Sequence, residues 1–248
     1  MKQIIFIIIG SWFLISVMGC KPDPPIKNEV STMDITINHV FDASDFELNQ
    51  EYTLPSDEPV KFSRFAYLLS NFYLIDENEF RIALDKQYLY LDIKSSNSDF
   101  KLTNIPKGTY KGIGFSIGLD SITNHGNPNQ YNSDHPLSPI NNSLHWSWQG
   151  GYIFTAIEGK TIANSESFIF HLAGTQNKVD FELPYNFSKE DDAIHAILNC
   201  NIKEVFQSPE VYTIEIDGSS THNVEDPVTL KLINNMKDVF SVSSIGSL

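Results

Sequence analysis

Cysteine and positive charge are what this 248-residue chain has least of. It holds two cysteines, Cys20 and Cys200. At most one intramolecular disulfide could form, and none if either thiol is used otherwise. Lys and Arg number 17 against 31 Asp and Glu, for a net charge of −14. Nucleic-acid binding runs on cationic contacts to phosphate, so this balance argues against it. It also disfavours adsorption to anionic headgroups, and its plain use is solubility. Catalytic signatures are weak or missing as well: there is no phosphate-cradling glycine loop and no H-E-x-x-H, and the one G-x-S-x-G match, Gly114 to Gly118, lies inside an alternating strand pattern rather than at a strand-to-helix elbow. Carboxylates are plentiful, but no spacing singles out a catalytic pair. Gly112, Gly114 and Gly118 sit inside an alternating strand pattern with no helix after it, which excludes a dinucleotide turn. The chain therefore reads as a protein that is not an enzyme.

The one long apolar run lies at the start. Lys2 precedes Ile4 to Ile9, and the run continues through Trp12, Phe13, Leu14 and Ile15 to Gly19-Cys20. A charged start, a short apolar stretch and a small residue before the cut point to export. Val17, Gly19 and Cys20 resemble the lipobox of bacterial lipoproteins, Leu/Val-x-Gly/Ala-Cys. That resemblance implies cleavage before Cys20 and lipid on its sulfur and new amine. Each buried methylene contributes about 0.8 kcal/mol, and stable attachment needs more than one chain. Residues 1–19 are thus expected to be a signal peptide. Residues 20–31, with Pro22, Pro24 and Pro25, would form an extended tether, and 32–248 the folded domain. Loss of Lys2 takes the net charge from −14 to −15. The expected location is the cell envelope, most simply the outer membrane, facing the periplasm or the outside.

With Cys20 lipidated, only Cys200 remains. It shares parity with Ile194, Ala196, Leu198 and Ile202, which places it on the buried face of a strand. Alternation or apolar runs also mark 33–40, 60–75, 80–93, 110–119, 152–157, 167–172, 178–183, 194–202 and 211–216 as strands. Turn residues such as Pro106-Lys107-Gly108 separate them. Many short strands with few helices predict an all-β, antiparallel β-sandwich. One short C-terminal helix is expected, capped near Asp226, with Pro227 in its first turn and Leu230, Ile233, Met236 and Val239 at helical spacing. A shorter helix is expected to begin at Ser188. The polar stretch 121–143 joins two strands, and a loop of that length is usually functional or mobile. Asp120 and Asn124 would either cap that loop or bind calcium.

The unusual passage is His145-Trp146-Ser147-Trp148-Gln149-Gly150-Gly151-Tyr152. It holds every tryptophan beyond the leader, beside a histidine. Tryptophan is costly to place unpacked, so this is either a core plug or a site. Phe62-Ser63-Arg64-Phe65-Ala66-Tyr67, running to Ser70-Asn71-Phe72, resembles the aromatic strand of the MbnP-like proteins, which are associated with methanobactin and copper homeostasis. Ile117-Gly118-Leu119-Asp120-Ser121 with Asn124 is similar to that family's I-G-V-D-S-x-x-N. Trp146-Ser147-Trp148-Gln149-Gly150-Gly151-Tyr152, running on to Glu158-Gly159, resembles its W-x-W-x-x-G-Y core. Phe170-His171-Leu172-Ala173-Gly174 resembles F-x-H-L-G-G, with Ala173 for a glycine. His222-Asn223 and the following helix are similar to its C-terminal end.

The resemblance implies a copper-binding protein outside the cytosol. It also implies a MauG-like dihaem partner of the MbnH type, which oxidises a tryptophan to kynurenine. Imidazole is the ligand expected for copper where free thiols are lacking. Of the seven histidines, His171 and His222 are the first candidates, since both sit in matching motifs. His145 is the third, by its place next to Trp146. Trp148, then Trp146, would be the modified or metal-adjacent ring. His125 and His135 lie in the long loop and could close a site. His39 and His195 fall within strands, facing solvent or a hydrogen-bond partner. The rival reading is a cell-surface glycan-binding or adhesion module, for which exposed aromatics on a sandwich also suit.

Overall fold

The computed structural model describes residues 31–84, 86–95, 99–147, 150–190, 193–221 and 223–247. The signal peptide, Cys20 and nearly all of the tether lie outside them, as do His222 and Trp148.

In chain order the first strands are β1 (Thr32–Phe41), β2 (Ser44–Asp45), β3 (Glu51–Thr53), β4 (Pro59–Asp76) and β5 (Arg81–Ala83). Then come β6 (Leu89–Asp92), β7 (Asp99–Thr103), β8 (Gly108–Ile117), β9 (His145–Ser147) and β10 (Gly151–Thr161). The last are β11 (Ser167–Ala173), β12 (Val179–Lys189), β13 (Ile194–Asn201) and β14 (Phe240–Ser247). The larger sheet runs β11-β10-β4-β8-β12, with β3, β5 and β6 along β4 and β9 along β10. The smaller runs β14-β13-β1-β2, with β7 along β1.

The sheets face each other across an aromatic core. Strand alternation explains why: Phe168, Phe170 and Leu172 of β11 are fully buried, as are Ile113 and Phe115 of β8. Phe240 of β14 meets Phe115 and Phe181 of the opposite sheet edge-on, each at 5.0 Å between centroids. Gly114 is the glycine of β8 that the packing demands, because Tyr73 lies across it and a Cβ there would meet the ring. This is the expected β-sandwich. One pair departs from the antiparallel expectation: β1 and β13 run parallel, Met33 opposite Ile194 through Val40 opposite Asn201. Parallel neighbours need a long crossover, and most of the larger sheet is built between these two strands.

The helix near the C-terminus forms as expected but is not the last element. Four short α-helices occur among the described residues, beside four 3-10 turns: α1 (Ser121–Asn124), α2 (Pro139–Asn142), α3 (Ile214–Asp217) and α4 (Pro227–Asn235). Asp226 caps α4 by accepting from the Val228 amide at 3.0 Å, with Pro227 in the first turn. The chain then returns as β14. Three expectations fail. Residues 80–93 are not one strand but two short ones, β5 and β6, pairing with different parts of β4. Residues 211–216 are not a strand, because the Glu58 carboxylate accepts the Ile214 and Glu215 amides at 2.8 and 2.9 Å and nucleates α3. No helix starts at Ser188, because β12 continues through Lys189, pairing Ser188 with Thr109.

Candidate functional site

The outer face of the larger sheet carries the candidate site. Phe170 and Leu172 turn inward, so His171 between them turns outward. The register sets Ala156 opposite both His171 and Ala66, and Glu158 opposite Arg64. A polar row results. Glu158 Oε1 lies 3.0 Å from His171 Nε2 and 3.2 Å from an Arg64 guanidinium nitrogen. Their side chains are 29 %, 25 % and 17 % exposed, so all three are reachable yet partly desolvated. Burial pushes the Glu158 carboxyl up, but hydrogen bonds from His171 and Arg64 outweigh it and hold the group below the usual carboxylate range. A carboxylate only accepts, so Nε2 is the His171 nitrogen that donates, which leaves Nδ1 outside the pair. A histidine whose second nitrogen is held by a carboxylate is the common arrangement of a metal-ligating imidazole.

Two further elements converge there. Trp146 of β9 is 50 % exposed, and its ring centroid lies 6.4 Å from that of His171 at an interplanar angle of 49°. Residues 219–221 run along the free edge of β11. The His171 amide donates to Thr221 Oγ1 at 2.9 Å, and the Thr221 amide donates to the Ile169 carbonyl at 3.2 Å. Thr221 is therefore fixed beside His171, while His222 itself lies outside the described residues, as does Trp148. Among the described residues, no group of three or more His, Cys, Asp or Glu side chains is placed to hold a metal ion. His171, with Glu158 behind it, supplies only part of a donor set.

His145 turns the other way, as the residue before Trp146 on a strand must. Its ring meets Tyr152 edge-on at 4.6 Å, and its Nε2 is buried with no hydrogen-bond partner. Burial lowers its pKa, which favours the neutral ring. It lines a cavity of about 700 Å³ together with His125, Asn127, Asn129 and two prolines.

The long loop after β8 is ordered by its own caps. Asp120 Oδ1 accepts the Ile122 and Thr123 amides at 2.9 and 3.0 Å, and Oδ2 accepts the Thr123 hydroxyl at 2.7 Å. Buried Asn124 accepts the Tyr152 amide at 2.8 Å. Gly151, at φ +70°, is required there, since a Cβ would strike the Asn124 side chain. Of the two uses expected for Asp120 and Asn124, capping is the one the bonding serves. His135 stacks on Tyr131 at 4.3 Å, and its Nδ1 accepts the Leu137 amide. His195 bonds Thr36 Oγ1 at 2.7 Å. His39 faces inward, 2.9 Å from the Tyr67 hydroxyl. That hydroxyl shares a hydrogen bond with Cys200, whose thiol burial pushes up to about 12. Cys200 is a buried core residue, as its parity indicated.

Sequence reasoning did not single out Glu158, Arg64 or Thr221. The first two had a signal: each is a charged residue flanking a long apolar run of its strand. Thr221 had none.

A family model described as MbnP matches residues 30–226. No curated protein matches the chain. Among solved structures, MbnP from Methylosinus trichosporium is similar in fold. The two chains are 16% identical, the alignment covers 88% of this chain and 99% of that one, and the TM-score is 0.54.

Proposed function

The chain belongs to the MbnP family, and on that premise we propose that it is an exported lipoprotein that binds a copper ion. In this reading lipid on Cys20 holds it at the cell envelope. His171 and His222 provide the imidazoles, and a dihaem MauG-like partner oxidises Trp148 or Trp146 to kynurenine. The observation that supports it most is the meeting of Trp146, His171 and Glu158 on one exposed sheet face. The donor chemistry fits. Imidazole suits copper, and Glu158 orients the His171 ring so that Nδ1 presents its lone pair outward from the bonded side. Arg64 neutralises part of the Glu158 charge, which keeps that carboxylate in a supporting position rather than on the metal. Bound copper would supply a redox-active centre at this face. The protein's own part is to hold the imidazoles and the neighbouring ring in place.

The test is a copper titration of the domain in wild type, His171→Ala and His222→Ala. Loss of affinity in both supports the site, and unchanged affinity in both removes it. Kynurenine formation exchanges one carbon for one oxygen, a gain of about 4 Da in intact mass. Co-expression with a dihaem oxidase should produce that gain, and Trp→Phe variants at 146 and 148 identify the ring. Cys20→Ala should move the protein from the membrane fraction to the soluble one. A glycan-binding module would instead retain a soluble oligosaccharide and lose it on Trp146→Ala with copper affinity unchanged.

A further inference from the structure

The point where the tether leaves the domain decides what can reach the His171 face. The Ser31 carbonyl, at the tether's end, accepts the Ile105 amide at 3.0 Å. Ile105 lies just ahead of β8, whose run from Gly108 to Ile117 spans about 30 Å. Leu69 of β4 lies opposite Ile117. Ala66, three residues earlier in β4 and so further from the tether, shares its row with Ala156 and His171. Those three residues add about 10 Å. β1 makes the same traverse: Thr32 is opposite Thr103 beside the tether, and the Phe41 ring lies 6.3 Å from that of Phe62, which is opposite Gly159. The tether and the Glu158–His171–Trp146 group therefore lie at opposite ends of the sandwich, about 40 Å apart along the strands. Ser31 follows Cys20 by 11 positions, a stretch that reaches at most about 40 Å. To lay the group on the membrane that holds Cys20, the tether would have to run back along the whole domain with no slack. The face is therefore presented to the water beyond the domain.

That face carries large apolar side chains that the fold leaves uncovered. Trp146 is 50 % exposed, Ile140 84 % and Ile169 46 %. Ile169 faces outward beside His171 and opposite Glu158. Helix α2, which carries Ile140, abuts Arg64 through the Asn142 carbonyl, 3.5 Å from the guanidinium. The three frame the polar group. Exposed apolar side chains gathered around a tryptophan and an arginine have the make-up of a protein-binding surface. We propose that this face is the docking surface for a water-soluble protein with an apolar contact spot and a basic rim. The proposal rests on the exported, Cys20-anchored reading given above. The short tether keeps the anchoring membrane off the face. The excess of acidic over basic residues, 31 to 17, sets the sign of the partner's rim, since complementary charge steers association. An oxidising partner that attacks Trp146 approaches from this side.

Two measurements test it. In the mature chain with Trp148→Phe, Trp146 is the only tryptophan. That chain is coupled through Cys20 to maleimide lipid in phosphatidylcholine vesicles; Cys200 is buried and stays unmodified. Acrylamide in the water should quench Trp146, and brominated lipid should not. Quenching by brominated lipid means that the membrane covers the face, and it overturns the proposal. The second measurement titrates the uncoupled chain with a purified dihaem oxidase as the probe. Ile140→Lys and Ile169→Lys should each weaken binding about tenfold, and binding should weaken as salt rises. Both isoleucines are exposed, so the fold survives the changes. No binding by wild type, binding that neither substitution weakens, or binding indifferent to salt overturns the proposal. Copper titration of the same variants should match wild type. Failure of the copper site is read separately, from unchanged affinity in His171→Ala and His222→Ala, and failure of the lipid anchor from the Cys20→Ala fractionation.

Discussion

The interior around His39 and the outer face around His171 use the same side chain in opposite ways. His39 points between the sheets, bonded to a fully buried tyrosine, and burial lowers its pKa to about 4. Its role is to satisfy the Tyr67 hydroxyl in an apolar space. His171 points out of the same sandwich, bonded to an ionised carboxylate beside an arginine and an exposed indole. Nothing in the residue type separates the two. Strand parity and the charge of the partner do. The interior builds stability from aromatic packing, while the outer face holds groups that remain reachable by a ligand.

That contrast can be broken from either side. The largest effect is expected inside. Phe62 is fully buried and packs against Phe46, Phe168 and Phe206 at 5.3–5.8 Å between centroids. Phe62→Ala should lower unfolding free energy by about 3–5 kcal/mol in urea titrations, with copper affinity of the folded fraction unchanged.

Acid should come next. The folded pKa of His39, about 4, lies below the 6.5 of the unfolded chain, so folding favours the neutral ring. As pH falls from about 6.5 to about 4, the unfolded state takes up a proton that the folded state refuses. The contribution to stability is therefore full above pH 6.5 and falls by up to about 3 kcal/mol by pH 4. His39→Gln should remove that part of the pH dependence, measured as the difference between the two denaturation series.

On the outer face the signs reverse. Glu158→Gln should cost under about 1 kcal/mol of stability, because partly exposed ion pairs contribute little. It should nonetheless weaken copper binding about 10–100-fold, the usual effect of losing a carboxylate behind a ligating histidine. Back in the interior, Tyr67→Phe should cost about 1–2 kcal/mol of stability, from leaving the His39 and Cys200 partners unmatched, with copper affinity unchanged.

The sandwich was legible because its strands alternate. β1, β4, β8, β10, β11 and β13 all lie where periodicity set them, and Asp226 and Pro227 marked the start of α4. Strand pairing was not legible, since parity assigns a face and not a neighbour, and the parallel β1–β13 pair follows from topology alone. β14 escaped because it carries one extra residue, Ser243, opposite Ile197 and Leu198 of its partner, which shifts the register. Its inward residues Phe240, Val242 and Ile245 therefore break the period of two. Residues 211–216 alternate well enough to pass for a strand, but a distant carboxylate, Glu58, turns their amides into a helix start. At the candidate site, motif resemblance brought out His171 and Trp146, and the structure sets their rings together. Glu158 stayed hidden because a single outward carboxylate looks like any solvated charge until the register shows what lies across from it.

The pairing of β1 with β13 also governs when this protein can become itself. Asn38 and Asn199 are 161 positions apart and side by side. One edge of β1 finds β2 and β7 early, but its other edge must wait for β13, near the end of the chain. Such distant pairing slows folding. It also leaves no shortened version with a closed smaller sheet.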